Sequence, residues 1–190
     1  MPKILQDGAH RYEVIENWGK LPDGWSFAEG AGFRVAATTA YHSLVHRAAL
    51  RKGEVALIHG ASGGVGLAAV QLAKYLGARV IATGGDDRRL AIVKQNGADD
   101  VVNYRTADFV AAVKELTGGK GVPVVYDSVG RTTFEGSMRA LARRGVLASF
   151  GEAAGDPDPV PPRKLGQLGS IFLTHPSLPD YTSTREELIE

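Results

Sequence analysis

The residues with the clearest chemical meaning form a glycine-rich turn between a short apolar run and a stretch of helical periodicity. The apolar run covers residues 55–59, the turn covers residues 60–66, and apolar side chains then recur at helical spacing up to Gly77. A second apolar run at residues 79–83 completes a strand–turn–helix–strand unit. Within the turn, Ala61-Ser62-Gly63-Gly64-Val65-Gly66 matches G-x-G-x-x-G with Ala61 in place of the first glycine.

A turn of this kind binds phosphate for a physical reason. Glycine lets the backbone approach a pyrophosphate closely, and a helix N-terminus carries unpaired N–H groups and a partial positive charge. The flanking strands and helix favour dinucleotide binding, with a purely structural turn as the alternative. A P-loop is excluded, because no Gly-Lys-Ser/Thr follows the glycines.

Composition limits the class of protein. The chain of 190 residues is 44% hydrophobic and 23% charged, which is typical of one soluble globular domain with room for an appendage. Its 22 basic and 21 acidic side chains give a net charge of +1, which offers no argument for nucleic acid or an anionic membrane as a partner. The absence of cysteine excludes disulfides and thiolate metal sites. With no signal-peptide pattern and no long apolar span, we expect a cytoplasmic protein.

After residue 83, helical and strand patterns alternate. Helices are predicted from Asp86 to Gly97, over residues 109–116 and over residues 134–141. Strands are predicted at residues 100–103, 122–126, 146–150 and 170–174, with a loop rich in proline and glycine at residues 151–162. Alternating units of this length predict a parallel sheet with helices on both faces, which is an α/β fold.

The two ends of the chain fit this alternation less well. Residues 10–15 suggest a strand for which nothing nearby supplies a partner. Ser26 and Glu29 form a capping box for a helix that continues through residues 33–48. Residues 182–187 suggest the start of a helix that the chain leaves unfinished.

From about Ala9 to Glu190, the chain resembles the cofactor-binding part of a zinc-independent quinone oxidoreductase. That zeta-crystallin-like group belongs to the medium-chain dehydrogenase/reductase superfamily. The collinear segments that carry the resemblance are KLPDGWSFAE, TTAYHSL, HGASGGVGLAAVQLAKYLGARVIAT, GADDVVNY, LTGGKGVPVVYDSVGR, RGVLASFG and GSIFLTHPSL. The resemblance implies a Rossmann-type, doubly wound parallel sheet in a three-layer α/β/α arrangement.

The resemblance also implies a domain organisation. Residues 25–190 would be the NAD(P)-binding domain with a truncated C-terminal helix, and residues 1–24 the remnant of a GroES-like catalytic domain and its linker. Most of that catalytic domain would be missing, so the sequence looks like one domain of a longer protein. We therefore expect this domain to bind cofactor without substrate turnover.

The function implied by the resemblance is NADPH-dependent transfer of hydride to a quinone or an α,β-unsaturated carbonyl compound. No catalytic residue can be assigned within the chain. The family also implies a homodimer, in which the apolar edge strand around Ile171–Leu173 pairs across a two-fold axis. An enoyl-reductase module excised from a polyketide or fatty-acid synthase and a non-enzymatic nucleotide-binding or structural protein are the alternatives.

The cofactor contacts are assigned by the same resemblance. The residues that would hold the pyrophosphate are Ser62, Gly63, Gly64, Val65 and Gly66. Thr39 matches a threonine near the nicotinamide. The strand ends that would line the nicotinamide ribose are Ser128, Val129, Phe150 and Gly151, because ligands of such folds bind at the carboxyl ends of strands. For each of these residues, packing or turn formation is the alternative.

The end of the second strand decides between the two nicotinamide cofactors. An NAD site usually carries an acidic residue there, whereas an NADP site has small residues and a nearby cation. Thr83 and Gly84 are small and neutral, and Arg89 stands where relatives carry a lysine. Tyr104 matches a family tyrosine near the adenosine phosphate. NADPH is therefore the expected cofactor, because a guanidinium group suits a phosphate. The alternative is that the arginine lies on a solvated helix face and that Asp86-Asp87 cap this helix.

No metal site is expected. Val35 occupies the position at which zinc-dependent relatives carry a cysteine ligand, and valine cannot bind a metal. His42 and His46 are four residues apart on one predicted helix, but no third ligand accompanies them. His59 is expected to pack in the core, and Asp127 is expected to pack or to organise a turn.

Overall fold

The computed structural model describes residues 3–7, 10–14 and 35–184. The chain divides into two compact units, Met1–Phe33 and Arg34–Glu190. In the first unit, β1 (Lys3–Asp7) and β2 (His10–Val14) pair as antiparallel strands. The prediction that the strand at residues 10–15 has no partner nearby is therefore wrong. The partner is the segment immediately before it, and a pairing so local in sequence costs little loop-closure entropy.

The second unit contains six strands, numbered β3 to β8 in chain order: Val55–Ile58, Arg79–Gly84, Asp100–Asn103, Val122–Asp127, Leu141–Ser149 and Phe172–Thr174. They form one sheet in the order β5-β4-β3-β6-β7-β8, and every neighbouring pair is parallel. This is the order of two mononucleotide-binding halves that meet between β3 and β6. The predicted Rossmann-type fold is confirmed.

The helices follow the strands in the same alternation. Residues 35–41 are α-helical (α1) and lead into a π-helix at His42–Arg47. The later helices, α2 to α6, are Gly64–Tyr75, Asp87–Gln95, Phe109–Leu116, Phe134–Ala140 and Pro162–Gln167, and a 3₁₀ helix covers Leu178–Tyr181. Among the described residues, no helix combines the length and apolar character that a membrane span requires.

Strand side chains alternate between two core layers, one on each face of the sheet. Ala56 and Ile58 of β3 belong to one layer, with Val70 of α2, whereas Leu57 belongs to the other. The second layer includes Met138 of α5. Because both faces are covered, the strands read as continuous apolar runs rather than as alternating patterns. The sheet is thus the middle of three layers, as predicted.

Several predicted boundaries differ from the structure. Leu141 was expected in a helix but is the first residue of β7, which begins well before the predicted residue 146. The register between β6 and β7 is irregular, with Val122 paired to Leu141 and Val124 paired to Val146. Arg143 and Arg144 in the intervening part of β7 are exposed, so this part shows no apolar run. Helix α6 follows the proline-rich loop. It was not predicted, because its sequence has no apolar stripe of helical periodicity. Residues 182–184 form bends rather than helix, and the capping box at Ser26 and Glu29 lies outside the described residues.

Helix α5 packs on α4 through a glycine, which allows a matched test of the packing. A Cβ added at Gly136 would lie 2.3 Å from Cζ of Phe109, and the Phe109 ring is buried. We expect Gly136→Ala to lower the free energy of unfolding by about 1–3 kcal/mol through overpacking. The control is Gly166→Ala in α6, where a Cβ would have no neighbour within 4 Å. It should leave stability unchanged or raise it by up to about 1 kcal/mol. Equal losses in urea unfolding of both variants would contradict this packing.

Candidate functional site

The glycine-rich turn lies at the carboxyl end of β3, directly before α2. Gly60 has a φ of +60°, which favours glycine. A Cβ at Gly66 would lie 2.3 Å from the carbonyl oxygen of Gly60, so only glycine lets the helix approach the strand this closely. Gly64, by contrast, has nothing within 4 Å of its Cβ position and faces open space. The turn therefore has one glycine for packing and another whose backbone a ligand can approach.

The turn is tied to the neighbouring strands on both sides. The Ala61 amide donates to the Thr83 carbonyl at the end of β4 (3.1 Å), and the His59 amide donates to the Tyr126 carbonyl of β6 (2.9 Å). Because β3 lies between β4 and β6, the two bonds hold the turn in the middle of the sheet, at the carboxyl ends of its strands. This is the point at which a doubly wound sheet binds its ligand.

His59 is fully buried beneath the turn. Its Nδ1 lies 2.7 Å from Thr83 Oγ1, and its ring packs edge-on against Phe109 with the centroids 4.8 Å apart. Burial lowers the pKa of His59, although the nearby Asp127 carboxylate opposes this shift. His59 therefore packs in the core, as predicted. Thr83 was predicted to contact the cofactor; in the structure the whole residue is buried, with its side chain directed to His59 and its carbonyl accepting from the Ala61 amide.

Asp127 is a buried carboxylate at the end of β6, and it organises the following turn. Oδ1 accepts from the amides of Val129 (2.8 Å) and Gly130 (3.2 Å) and from the Thr133 hydroxyl (2.9 Å). Oδ2 accepts from the Ser137 hydroxyl at 2.7 Å. Four donors satisfy the charge without a cation, which makes the buried carboxylate tolerable. Asp127 is thus a turn-forming residue, as predicted, and it fixes the backbone of Val129.

Ser128 connects the ends of three strands. Its hydroxyl lies 3.4 Å from the His59 carbonyl, and a Cβ at Gly60 would be only 2.6 Å from that hydroxyl oxygen. On its other side, a Cβ at Gly151 would lie 3.0 Å from the Ser128 carbonyl oxygen. The structure therefore brings together three of the predicted contact regions: the turn after β3, Ser128 and Val129 after β6, and Phe150 and Gly151 after β7.

The end of β4 carries a second cluster. A Cβ at Gly85 would lie 2.8 Å from Arg105 Nε and 3.2 Å from Tyr104 Cε2, so these two side chains cover the glycine. The Tyr104 amide donates to the Gly84 carbonyl at 3.1 Å. Tyr104 was predicted at this cluster from the sequence, whereas Arg105 was not. Arg105 could have been predicted as a basic residue that closely follows β5, the strand paired with β4.

The carboxylates beside this cluster already accept hydrogen bonds from neighbouring groups. Asp86 caps α3, and its Oδ1 accepts from the Arg89 amide at 2.9 Å. Asp87 Oδ1 accepts from Asn103 Nδ2 at 2.8 Å. Within residues 35–184, no carboxylate lies within ion-pair distance of Arg88, Arg89 or Arg105. No carboxylate of residues 35–184 therefore neutralises any of the three guanidinium groups, and that of Arg105 lies over Gly85.

Within the glycine-rich turn, Ser62 and Gly63 are exposed directly before α2. Thr39 is half-buried in α1. His42 and His46 do face each other, with their Nδ1 atoms 3.2 Å apart. In the described part of the chain, no three side chains of the His, Cys, Asp or Glu type are grouped to hold a metal ion.

A family model described as "Zinc-binding dehydrogenase" matches residues 64–188. The chain belongs to this family. It is 45% identical over 170 residues to quinone oxidoreductase 1 of Escherichia coli, covering 90% of this chain and 52% of that protein. It is 40% identical over 161 residues to a 2-haloacrylate reductase of Burkholderia, covering 84% of this chain and 48% of that protein.

The solved structures agree with this membership. The crystal structure of E. coli quinone oxidoreductase complexed with NADPH superposes with a TM-score of 0.82 at 45% identity, over 89% of this chain and 52% of that one. The chain thus spans about half the length of the relatives that it matches. The resemblance to the cofactor-binding part of quinone oxidoreductases is confirmed.

The buried histidine beneath the turn predicts a specific pH dependence of stability. Because the pKa of His59 is lowered in the folded state, the unfolded chain binds more protons below the ordinary histidine pKa of about 6.5. Stability should therefore fall as the pH drops below about 6.5, by up to about 1.4 kcal/mol per pH unit. His59→Gln, whose amide can keep the bond to Thr83, should show a shallower slope between pH 6.5 and 5.

The control for this experiment is His175→Gln, because the His175 side chain is 54% exposed. It should keep the slope of the unaltered protein in urea unfolding measured across the same pH range. If His59→Gln loses stability on acidification as steeply as the unaltered protein, His59 is not the group responsible.

Proposed function

We propose that residues 25–190 form the NADPH-binding domain of an oxidoreductase, with residues 1–24 belonging to its catalytic domain and linker. The observation that carries the proposal is the convergence of two features on one edge of the sheet. One is the open glycine turn at the start of α2, and the other is the cationic cluster at the ends of β4 and β5. The first fits a pyrophosphate and the second an additional phosphate.

The backbone around the turn leaves room for the pyrophosphate of the cofactor. The pyrophosphate would lie against Ser62, Gly63, Gly64, Val65 and Gly66, where the Cβ position of Gly64 is open. Thr39 would contact the nicotinamide, and the strand ends that would line its ribose are Ser128, Val129, Phe150 and Gly151. When bound, NADPH supplies the hydride. The role of this chain is to hold and orient it.

The arginines that follow β4 and β5 favour NADPH over NADH as the cofactor. Thr83 and Gly84 supply no carboxylate to accept a bond from a ribose 2′-hydroxyl. Arg89, Tyr104 and Arg105 would instead surround a 2′-phosphate, and the guanidinium groups suit its paired oxygens. The complex of the E. coli relative with NADPH supports the same choice.

We propose that the whole enzyme passes hydride to a quinone or an α,β-unsaturated carbonyl compound. The names of the quinone oxidoreductase and 2-haloacrylate reductase relatives support both acceptor classes. These relatives do not favour a synthase module or a non-enzymatic protein. No residue of this chain is assigned a catalytic role, because the relatives extend well beyond the matched half.

We propose further that the enzyme is zinc-independent and cytoplasmic. Val35 stands where zinc-dependent relatives carry a ligand, and the His42–His46 pair has no third ligand among residues 35–184. A cytoplasmic location would give access to the NADPH pool. Metal analysis of the purified protein and fractionation of the source cells test these two statements.

Nucleotide titration tests the cofactor proposal. We expect the protein to bind NADPH more tightly than NADH in calorimetry. Arg89→Ala and Arg105→Ala should each weaken NADPH binding about tenfold, because a charge-assisted bond contributes about 1.5–3 kcal/mol, and should leave NADH binding within about twofold. Arg163→Ala, an exposed arginine on α6, is the control and should change neither affinity. Equal losses for both nucleotides would rule out a 2′-phosphate contact.

We propose a homodimer formed through β8, the outer strand of the six-stranded sheet. Phe172 and Leu173 on this strand are 59% and 38% exposed. An exposed apolar edge strand invites pairing with another chain. Pairing of two β8 strands around Ile171–Leu173 would continue the sheet across the dimer.

Sedimentation at micromolar concentration tests the dimer. The unaltered protein should sediment as a dimer and Phe172→Lys as a monomer, because a charged side chain on an edge strand opposes pairing. Tyr75→Lys is the control: Tyr75 is 88% exposed at the end of α2, and its replacement should leave the dimer intact. A monomeric unaltered protein, or a dimeric Phe172→Lys variant, would count against this interface.

A further inference from the structure

A polar cavity of about 490 Å³ lies between the π-helix and the segment that follows β8. Its size falls within the range of small-molecule sites, about 300–1,000 Å³. The residues that line it are His42, His46, Arg47, Thr174, His175, Pro176, Ser177, Asp180 and Tyr181. The nucleotide contacts proposed above do not include any of these residues.

The π-helix determines which side chains reach the cavity. Its hydrogen bonds run from residue i to residue i+5, as in the bond from the Ala48 amide to the Ser43 carbonyl (3.0 Å). Side chains four and five positions apart therefore lie on one face. That register places His42, His46 and Arg47 together, whereas an α-helix would turn Arg47 away from His42.

Arg47 is held in place without a counter-ion. Its guanidinium carbon lies 5.0 Å from the centre of the Tyr181 ring, and the same ring packs against His42 with the centroids 4.9 Å apart. Among the described residues, no carboxylate lies within 4.0 Å of the guanidinium. A guanidinium stacked on a ring keeps its in-plane N–H donors, and their fork matches the two oxygens of a carboxylate.

The other charged groups around the cavity make its charge depend on pH. Asp180 contributes one negative charge, and Glu152 Oε1 lies 4.0 Å from His175 Nδ1. The rings of Tyr41 and Tyr181 also face the histidine pair. Burial, with a contribution from His46, lowers the pKa of His42, so His42 stays neutral to lower pH than an ordinary histidine. Histidine side chains generally gain charge between about pH 8 and 5, and the cavity becomes more cationic as the pH falls.

The cavity lies beside the outer half of the sheet. Thr174 is the last residue of β8, and the π-helix packs against β7. The glycine turn, by contrast, lies at the switch point between β3 and β6, where doubly wound sheets bind their ligands. The cavity therefore lies outside the nucleotide site proposed above.

We propose that this cavity binds the carboxylate of a small organic acid, at a site separate from the nucleotide contacts proposed above. Arg47 provides the fixed charge, and Thr174 and Ser177 provide hydroxyl groups beside it. Because Asp180 offsets the fixed charge of Arg47, a phosphate dianion meets more repulsion in this cavity than a monoanion does.

Crotonate and crotonamide are suitable probes, because they have the same size and differ in charge. Binding to the 190-residue protein is followed by NMR through the ring resonances of its five histidines. We expect crotonate to shift the His46 and His175 resonances and to bind at least about fivefold more tightly than crotonamide at pH 6. Crotonate binding should weaken at least about threefold at pH 8. Equal binding of the two probes, no binding of either, or tighter binding of inorganic phosphate would overturn the proposal.

Arg47→Gln should weaken crotonate binding at least about fivefold at pH 6. Arg51→Gln is the matched control, because Arg51 is exposed four residues further along and does not line the cavity. The thermal midpoint of unfolding establishes that each variant is folded. Should Arg47→Gln fail to fold, His175→Gln serves in its place and should weaken crotonate binding at pH 6. Identical behaviour of the cavity variants and Arg51→Gln would also overturn the proposal.

Titration of the same samples with NADPH separates the two proposals. Crotonate that binds equally well with and without NADPH agrees with a carboxylate site separate from the nucleotide. Competition between the two ligands would assign the cavity to the nucleotide instead and overturn the inference. Crotonate binding in a protein that binds no NADPH would refute the proposed function and leave the carboxylate site standing. NADPH binding without crotonate binding would refute only the inference.

Discussion

The contact between Gly66 and Gly60 is the constraint on which the site depends. A Cβ at Gly66 would stand 2.3 Å from the Gly60 carbonyl oxygen and 2.7 Å from the Ala61 Cα, and neither backbone atom can move aside. Helix α2 consequently begins directly against the end of β3. Backbone bonds from the same turn to β4 and β6 then hold its position at the centre of the sheet edge. A larger residue at position 66 would push the whole helix away from the strand, because no side chain could move to make room.

Buried polar groups keep that edge rigid. Asp127 accepts four hydrogen bonds, and His59 sits beneath the turn against Thr83. These groups are enclosed by the apolar layers on both sides of the sheet, where an unpaired polar atom is costly. Their hydrogen bonds therefore specify one backbone path for the loops after β3 and β6. A site formed largely from backbone requires that definition, because it has few side chains with which to correct an error.

The two sides of the sheet carry different groups at their ends. At the ends of β4 and β5, Arg105 lies over Gly85 without an acidic partner among the described residues. Beyond β8, an arginine stacked on Tyr181 shares a cavity with three histidines and Asp180. The first cluster thus contains a guanidinium without a carboxylate, whereas the second combines a guanidinium with a carboxylate and three imidazoles.

The sequence by itself determined the fold class, most strand positions and the location of the glycine turn. Such features follow from local rules: the periodicity of apolar residues, the glycine at a helix end and the capping aspartates act within a few positions. Asp100–Asn103, for example, is a strand with the predicted bounds. The resemblance added the assignment of residues to a cofactor, which no periodicity contains.

Only the tertiary structure decided which side chains meet. Arg105 lies over Gly85 because β5 pairs with β4, and Thr83 is directed to His59 because the two strands place them side by side. The irregular register between β6 and β7 likewise has no local pattern. These outcomes depend on contacts between segments distant in sequence, and a local reading of residue types cannot supply the geometry of those contacts. The π-helical register that gathers His42, His46 and Arg47 is local, but apolar periodicity does not distinguish it from an α-helix.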